Sequence, residues 1–492
     1  MDGTPNLRGM GALDWVVLAG YLIATTFYGC LFLRKNKDSA AFMAAGRSLP
    51  GWAVGLSLFG SYVSSISFLA NPGKSYDSNW NPFVFALSLP LACWLAAKFF
   101  VPLYRVGEQI SAYERFEKRF GRWARVYATL CFLLVQVARL GTILYLLSLA
   151  LQPLVGSLPL PVLILLLGLL VTIYPMLGGT EAVIWTGVVQ AVVMIIGPLV
   201  CVGVILAGVP GGFGAVVSQA STAGKFSLGS LAPDFASSSF WVVLLYGMAI
   251  NLQNFGVDQA YVQRYLTAKA DRDATRSVWL GGLLYVPIAA LFFFIGTALW
   301  AFYQAHASAL PPGTKPDAVF PWFIQTQLPV GLKGLVLAAV CAAAMDSNLN
   351  CSATLFVHDL WAKRESATEA QKLTMLRLAV VGFGLLSILA AIAMISVKTA
   401  LDVWWDLAGV LSGGMLGLFL LDRLVPKASK AAALPATIVG ALVSIWVSFS
   451  QKPYWPASLP KAPLHSLLTL TVGTLTIVVL GVLLSQKKQP EG

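Results

Sequence analysis

The chain has 492 residues, 58% of them hydrophobic and only 11% charged, where a soluble domain carries about 25% charged residues. That composition excludes an ordinary globular protein. The formal net charge of +12 is spread over short segments between apolar runs, which excludes a nucleic-acid groove and fits the loops of a membrane protein.

A membrane-spanning helix needs roughly 20 apolar residues. Thirteen such runs follow in chain order: α1 over 11–33, α2 over 50–71, α3 over 82–104, α4 over 123–151, α5 over 159–178, α6 over 182–208 and α7 over 239–256. The series continues with α8 over 276–304, α9 over 332–358, α10 over 376–397, α11 over 402–421, α12 over 431–449 and α13 over 463–485. The expectation is an all-α membrane protein of about 13 transmembrane helices. α1 is too long for a signal-peptide core, lacks a small-residue cleavage site after it, and should stay as a helix. The longest connections, 209–238 and 305–331, are rich in Gly, Pro and Ser. One transporter domain over 1–492 is expected, with no fused ATP-binding domain.

The loops after the odd-numbered helices, with the C-terminal tail, hold 23 Lys and Arg residues, and the opposite set holds 8. The basic side is cytoplasmic in short-loop membrane proteins, so the N-terminus is expected outside and the C-terminus in the cytoplasm of a cell-membrane protein. The six cysteines (Cys30, Cys93, Cys131, Cys201, Cys341, Cys351) sit inside apolar runs without CxxC spacing. The three histidines (His306, His358, His465) are scattered. Neither a disulfide framework nor a transition-metal cluster is indicated, and no nucleophile–base set on facing spans marks an enzyme.

Three spans are polar. α2 runs Leu58-Phe59-Gly60-Ser61-Tyr62-Val63-Ser64-Ser65-Ile66-Ser67. α7 contains Asn251-Leu252-Gln253-Asn254-Phe255-Gly256, and α9 contains Met345-Asp346-Ser347-Asn348-Leu349-Asn350. Gly and hydroxyl residues let a helix unwind at mid-membrane, where freed carbonyls coordinate a cation; the same small residues also serve close helix packing. α2 and α7 stand five spans apart, the pattern of corresponding positions in an inverted repeat. Deep ionisable groups are Arg139 in α4, Asp346 in α9 and Asp406 in α11, the last read as an interfacial residue near a helix start. Ala343, Asp346, Ser347 and Asn350 share one helical face. Their oxygens, with carbonyls of α2, suit a small hard cation. An ion pair between Asp346 and Arg139 is the alternative. The polar run of α7 offers Gln253 and Asn254 as solute contacts.

Gly46-Arg47-Ser48-Leu49-Pro50-Gly51-Trp52, Ser64-Ser65-Ile66-Ser67-Phe68 and Pro72-Gly73-Lys74-Ser75-Tyr76 resemble the opening signature of the sodium:solute symporter family. Leu177-Gly178-Gly179, Val183-Ile184-Trp185-Thr186, Asp258-Gln259 with Val262-Gln263-Arg264-Tyr265, and Gly413-Gly414-Met415-Leu416-Gly417-Leu418-Phe419 fit as well. The resemblance covers nearly the whole chain and is nearest to the bacterial sialic acid transporters. It implies a leucine-transporter-type five-plus-five inverted repeat, α2–α6 (about 50–208) against α7–α11 (about 239–421), with α12 and α13 (about 431–485) outside it and alternating access. It also implies sodium as the coupling ion, held by carbonyls at Gly60 and Val63 and by groups at Ala343, Asp346 and Ser347. Solute contacts implied by the same branch are Tyr62, Ser64, Ser67 and a carboxylate-holding Arg139.

The chain departs from the family in three places. About three residues are missing after Met345, so Asp346 and Ser347 match either the principal sodium site or a second one. Gly187 stands where many members have an aspartate of that second site. Ala86 stands where the sialic acid branch has a solute-touching glutamine. The expected function is sodium-coupled import of a small, carboxylate-bearing solute, by a carrier that works as a monomer with the bilayer, sodium and solute as its partners. A neutral-sugar symporter, a proton-coupled or uncoupled carrier, and a non-transporting sensor are the alternatives.

Overall fold

The computed structural model describes residues 10–31, 47–105, 111–155, 158–344, 348–361, 368–396, 400–426, 428–452 and 455–486. It is helical throughout, and among the described residues the only β-pairing is a single bridge between Leu49 and Ala268. Among the described residues, ten helical stretches are long and apolar enough to cross a bilayer: Ala12–Gly29, Asn81–Arg105, Arg122–Gln152, Thr180–Gly208, Asp271–Ala305, the described parts of Leu332–Trp361, Glu369–Ser396, Leu401–Leu424, Lys430–Phe449 and Ser466–Gln486. Two bent pairs, Gly51–Tyr62 with Ile66–Asp77 and Phe240–Gly256 with Gln259–Leu266, raise the number to twelve, and Leu160–Ile173 is a shorter apolar helix.

Several expected boundaries move. α5 and α6, read as separate runs, belong to one helix from Leu160 to Gly208 with Pro175 and Pro198 inside it. At 1.5 Å per residue its 49 residues are about 74 Å long, more than twice a hydrocarbon core, so a single crossing does not accommodate it. α2 and α7 run past their expected ends because each continues beyond a break, to Asp77 and Leu266. α9 is seen as Leu332–Ala344, Asn348–Leu355 and a wide-turn segment Phe356–Trp361.

Contacts between loops sort them onto two faces. Leu49 exchanges backbone hydrogen bonds with Thr267 and Lys269 (3.0 and 2.9 Å), Arg105 pairs with Asp271 at 2.7 Å, and Arg115 pairs with Asp422. These join loops that follow odd-numbered helices. On the other face, Lys225 Nζ donates to Tyr76 O at 2.7 Å, and His465 N donates to Phe235 O at 2.7 Å. Lys74 pairs with Asp402 at 3.1 Å there, and Lys452 pairs with Asp406. Asp406 therefore has an interfacial partner, in keeping with its sequence reading.

α1 is pinned to α9. The buried Asp14 carboxylate accepts from Gly331 N (2.7 Å) and Gly334 N (2.9 Å), capping the first turn of Leu332–Ala344. A Cβ on Gly334 would lie 2.5 Å from Asp14 O, so only glycine permits this approach. α8 packs on α2, α10 on α4, and α12 and α13 on each other and on α11. Large apolar side chains such as Ile23, Leu389 and Leu442 point outward, as bilayer-facing residues must.

Candidate functional site

The two bent helices have local causes. Gly51–Tyr62 ends because Val63 takes extended backbone angles (φ −80°, ψ 91°). Ser64 N, which in a continuous helix would donate to Gly60 O, donates instead to Tyr62 O at 3.2 Å. Hydroxyls take over some of the backbone bonding: Ser67 Oγ donates to Tyr62 O at 3.4 Å, and Ser65 Oγ donates to Ile143 O at 3.1 Å. Serine side chains compete with the helical ladder in this way. Arg139 Nη2 reaches across from α4 and donates to Ser61 O at 2.5 Å. In α7, Val257 N and Asp258 N both close on Gln253 O (2.8 and 2.9 Å). Asp258 then restarts the helix as its N-cap, accepting from Ala260 N at 2.8 Å.

A cavity forms where the breaks meet, with an empty volume of about 830 Å³, part of it open to solvent. All six expected solute contacts line it: Tyr62, Ser64, Ser67, Arg139, Gln253 and Asn254. The Tyr62 hydroxyl donates to Asn251 Oδ1, and Asn254 Nδ2 donates to that hydroxyl at 3.3 Å. The Tyr62 ring stacks on Phe255 (centroids 5.6 Å) and tilts against Tyr285 (4.7 Å). Ser67 Oγ is 3.2 Å from Tyr285 OH. Gln253 Nε2 is buried without a hydrogen-bond partner, which leaves a donor for an acceptor-bearing ligand. The wall on the side of the Lys74–Asp402 pair is aromatic, with Trp405 5.1 Å from Tyr246 and 6.0 Å from Phe85.

Gly60 and Val63 stand at the α2 break. A Cβ on Gly60 would meet Gly187 O at 3.3 Å, and one on Gly187 would meet Ser57 Oγ at 2.8 Å, so the two glycines bring α2 and α6 into close approach. Ala343 is buried near the end of Leu332–Ala344. Asn350 is buried, and both polar atoms of its amide lack partners. Neither Ala343 nor Asn350 is on the cavity wall, and Asp346 and Ser347 lie outside the described residues.

Sequence reasoning missed several groups that shape the cavity. Gln136 Nε2 donates to Asp258 Oδ2 at 3.3 Å, and Asn348 Nδ2 donates to Gln136 Oε1 at 2.8 Å, joining α4, α7 and α9. Gln136 lies three residues before Arg139 on the same helical face, a signal that was available. Tyr285 had none, being an aromatic among apolar neighbours. Ala86 lines the cavity, so its side chain stands where a longer one would reach a solute.

Paired broken helices around a polar cavity define a multi-pass membrane transporter. The sodium:solute symporter family matches residues 42–440. The chain is 34% identical over 449 residues, 89% of each chain, to the sodium/sialic acid symporter SiaT of Proteus mirabilis (strain HI4320). It is 31% identical over 487 residues, 97% of this chain and 93% of the relative, to the sodium/sialic acid symporter NanT of Aliivibrio fischeri (strain ATCC 700601 / ES114). A Na+-coupled sialic acid symporter solved in a substrate-bound outward-open state superposes with a TM-score of 0.89 at 30% identity, covering 98% of this chain and 99% of that one. The chain belongs to the sodium:solute symporter family, and its coupling ion is sodium.

Proposed function

We propose that this protein imports a small carboxylate-bearing solute, of the sialic acid kind its relatives are named for, with sodium across the cell membrane. Arg139 carries the reading. It is 8% exposed on the wall of a cavity between two broken helices, and a guanidinium at that depth is costly unless it serves a partner or cavity. Its planar fork matches a carboxylate bidentately. Tyr62, Ser64, Ser67, Gln253 and Asn254 are the other solute contacts in this reading.

The sodium ligands are the carbonyls at Gly60, Val63 and Ala343 with Asp346, Ser347 and Asn350. The freed carbonyl geometry at Gly60 supports the first of them. Thirteen spans, with 160–173 as the fifth, a repeat of about 50–208 against about 239–421, helices over 431–485 outside it, and a monomeric working unit complete the proposal. The face bearing 23 of the basic residues is taken as cytoplasmic.

Sodium-dependent binding of N-acetylneuraminate, followed by calorimetry in detergent, tests the carboxylate anchor. The neutral methyl ester should bind roughly 10-fold or more weakly, the loss of a charge-assisted hydrogen bond. Equal binding of acid and ester overturns the anchor and favours a neutral sugar.

A further inference from the structure

Below the cavity, α4 and α9 run side by side and share polar pairs at two levels. At the cavity, Asn348 Nδ2 donates to Gln136 Oε1 at 2.8 Å. Toward the face that carries the basic loops, Thr129 Oγ1 donates to Asp359 Oδ2 at 2.7 Å, and Arg125 Nη2 donates to Asp359 Oδ1. The levels are separated by seven residues of α4 and eleven of α9, roughly two to three helical turns. Ser352 lies between them, one turn beyond Asn348 on the same face of Asn348–Leu355, a segment that packs against α4.

Two oxygens on this seam have no hydrogen-bond partner, Asn348 Oδ1 and Ser352 Oγ, and both residues are at least 99% buried. An unsatisfied oxygen inside a membrane protein costs free energy unless a ligand uses it. An amide oxygen followed by a hydroxyl is hard-donor chemistry, suited to a small cation rather than an anion. The seam ends in three carboxylates. Asp359 accepts from Ser111 Oγ at 2.8 Å as well as from Thr129 and Arg125, Glu117 accepts from Arg125 Nη1 at 2.7 Å, and Glu114 lies 3.8 Å from His358. Arg125 closes this mouth by bonding to both Asp359 and Glu117.

We infer that this seam is the release route for the coupling sodium, with Asn348 Oδ1 and Ser352 Oγ forming a transient station between its binding region and the Arg125–Asp359 mouth. The inference rests on sodium coupling and adds a site distinct from the ligands proposed above. A sodium ion leaving α9 would exchange its ligands stepwise for these oxygens, and parting of Arg125 from Asp359 would let it out.

The test compares net uptake with counterflow of labelled N-acetylneuraminate in proteoliposomes holding the full chain. Counterflow at saturating sodium on both sides needs no net sodium release. Ser352→Ala should therefore lower net uptake several-fold more than counterflow, and Ser352→Thr, which keeps the hydroxyl, should restore it. A solute-independent readout uses Ser352→Cys with Cys351→Ala. Methanethiosulfonate-ethylammonium applied from the basic-loop face should modify Cys at 352, several-fold more slowly in sodium chloride than in choline chloride. Equal loss of net uptake and counterflow, or a labelling rate indifferent to sodium, overturns the route. Failure of sodium coupling itself would show separately, as wild-type uptake insensitive to sodium.

Discussion

Arg139 donates Nη2–H to the carbonyl oxygen of Ser61 at 2.5 Å, across from α4 to the last turn before the α2 break. The guanidinium that steadies the unwound helix also stands on the cavity wall. Arg139→Lys keeps the charge and loses the planar fork. Solute affinity should fall roughly 10-fold or more with expression unchanged, as read by binding isotherms on purified protein. Unchanged affinity would assign Arg139 a structural role.

Tyr62 is held by Asn251 and Asn254 and packed against Phe255 and Tyr285. Tyr62→Phe keeps the ring stack but leaves Asn251 Oδ1 without that donor in a buried setting. The expected loss is about 1–3 kcal/mol, seen as a lower thermal midpoint together with weaker solute binding. A variant with a normal midpoint and normal affinity would remove Tyr62 from the site.

Much of this arrangement was legible in the sequence because membrane proteins write their polar sites against an apolar background. Six residues expected to contact solute, four of them (Tyr62, Ser64, Ser67 and Arg139) implied by the family resemblance and two (Gln253 and Asn254) taken from the polar run of α7, line one cavity. What escaped was geometry. Val63 leaves the helix because its neighbours' hydroxyls bond the backbone, and which hydroxyl takes which carbonyl depends on packing from α4. The runs 159–178 and 182–208 were read apart, whereas the helix is continuous from Leu160 to Gly208. Asp258 was read only as part of a family signature, while its N-cap and Gln136 bonds depend on tertiary contact.

Gly187 sets the expected stoichiometry. Its missing side chain faces Ser57, with no room for a carboxylate, since even a Cβ would lie 2.8 Å from Ser57 Oγ and 3.2 Å from its Cα. On the proposed ligand set one carboxylate, Asp346, offsets one sodium, so one sodium should accompany each solute. With a monocarboxylate the cycle is electroneutral, although each uncompensated charge would add about 2.3 kcal/mol per 100 mV. Uptake at a fixed sodium gradient should barely respond to a potassium diffusion potential. A sodium Hill coefficient clearly above one would sink the single-ion count.

His465 tests the face opposite the basic loops. Burial lowers its pKa from the ordinary value near 6.5, although Asp406, Asp402 and Asp234 oppose the shift. Its Nδ1 accepts from Leu467 N at 3.3 Å, at the start of the last helix. A depressed folded-state pKa means that the neutral ring stabilises the fold above about pH 6.5. That contribution is lost as pH falls through the lowered value. Thermal midpoints measured from pH 7.5 to 5 should therefore fall more steeply for the wild type than for His465→Gln; parallel curves would show that His465 contributes nothing.

The central claim is that a sodium gradient drives accumulation of a carboxylate solute through this cavity. Labelled N-acetylneuraminate uptake into proteoliposomes, with sodium or choline outside and no sodium inside, measures it directly. The account predicts accumulation above the external concentration with sodium and only slow equilibration with choline. Equal accumulation in the two media would contradict it.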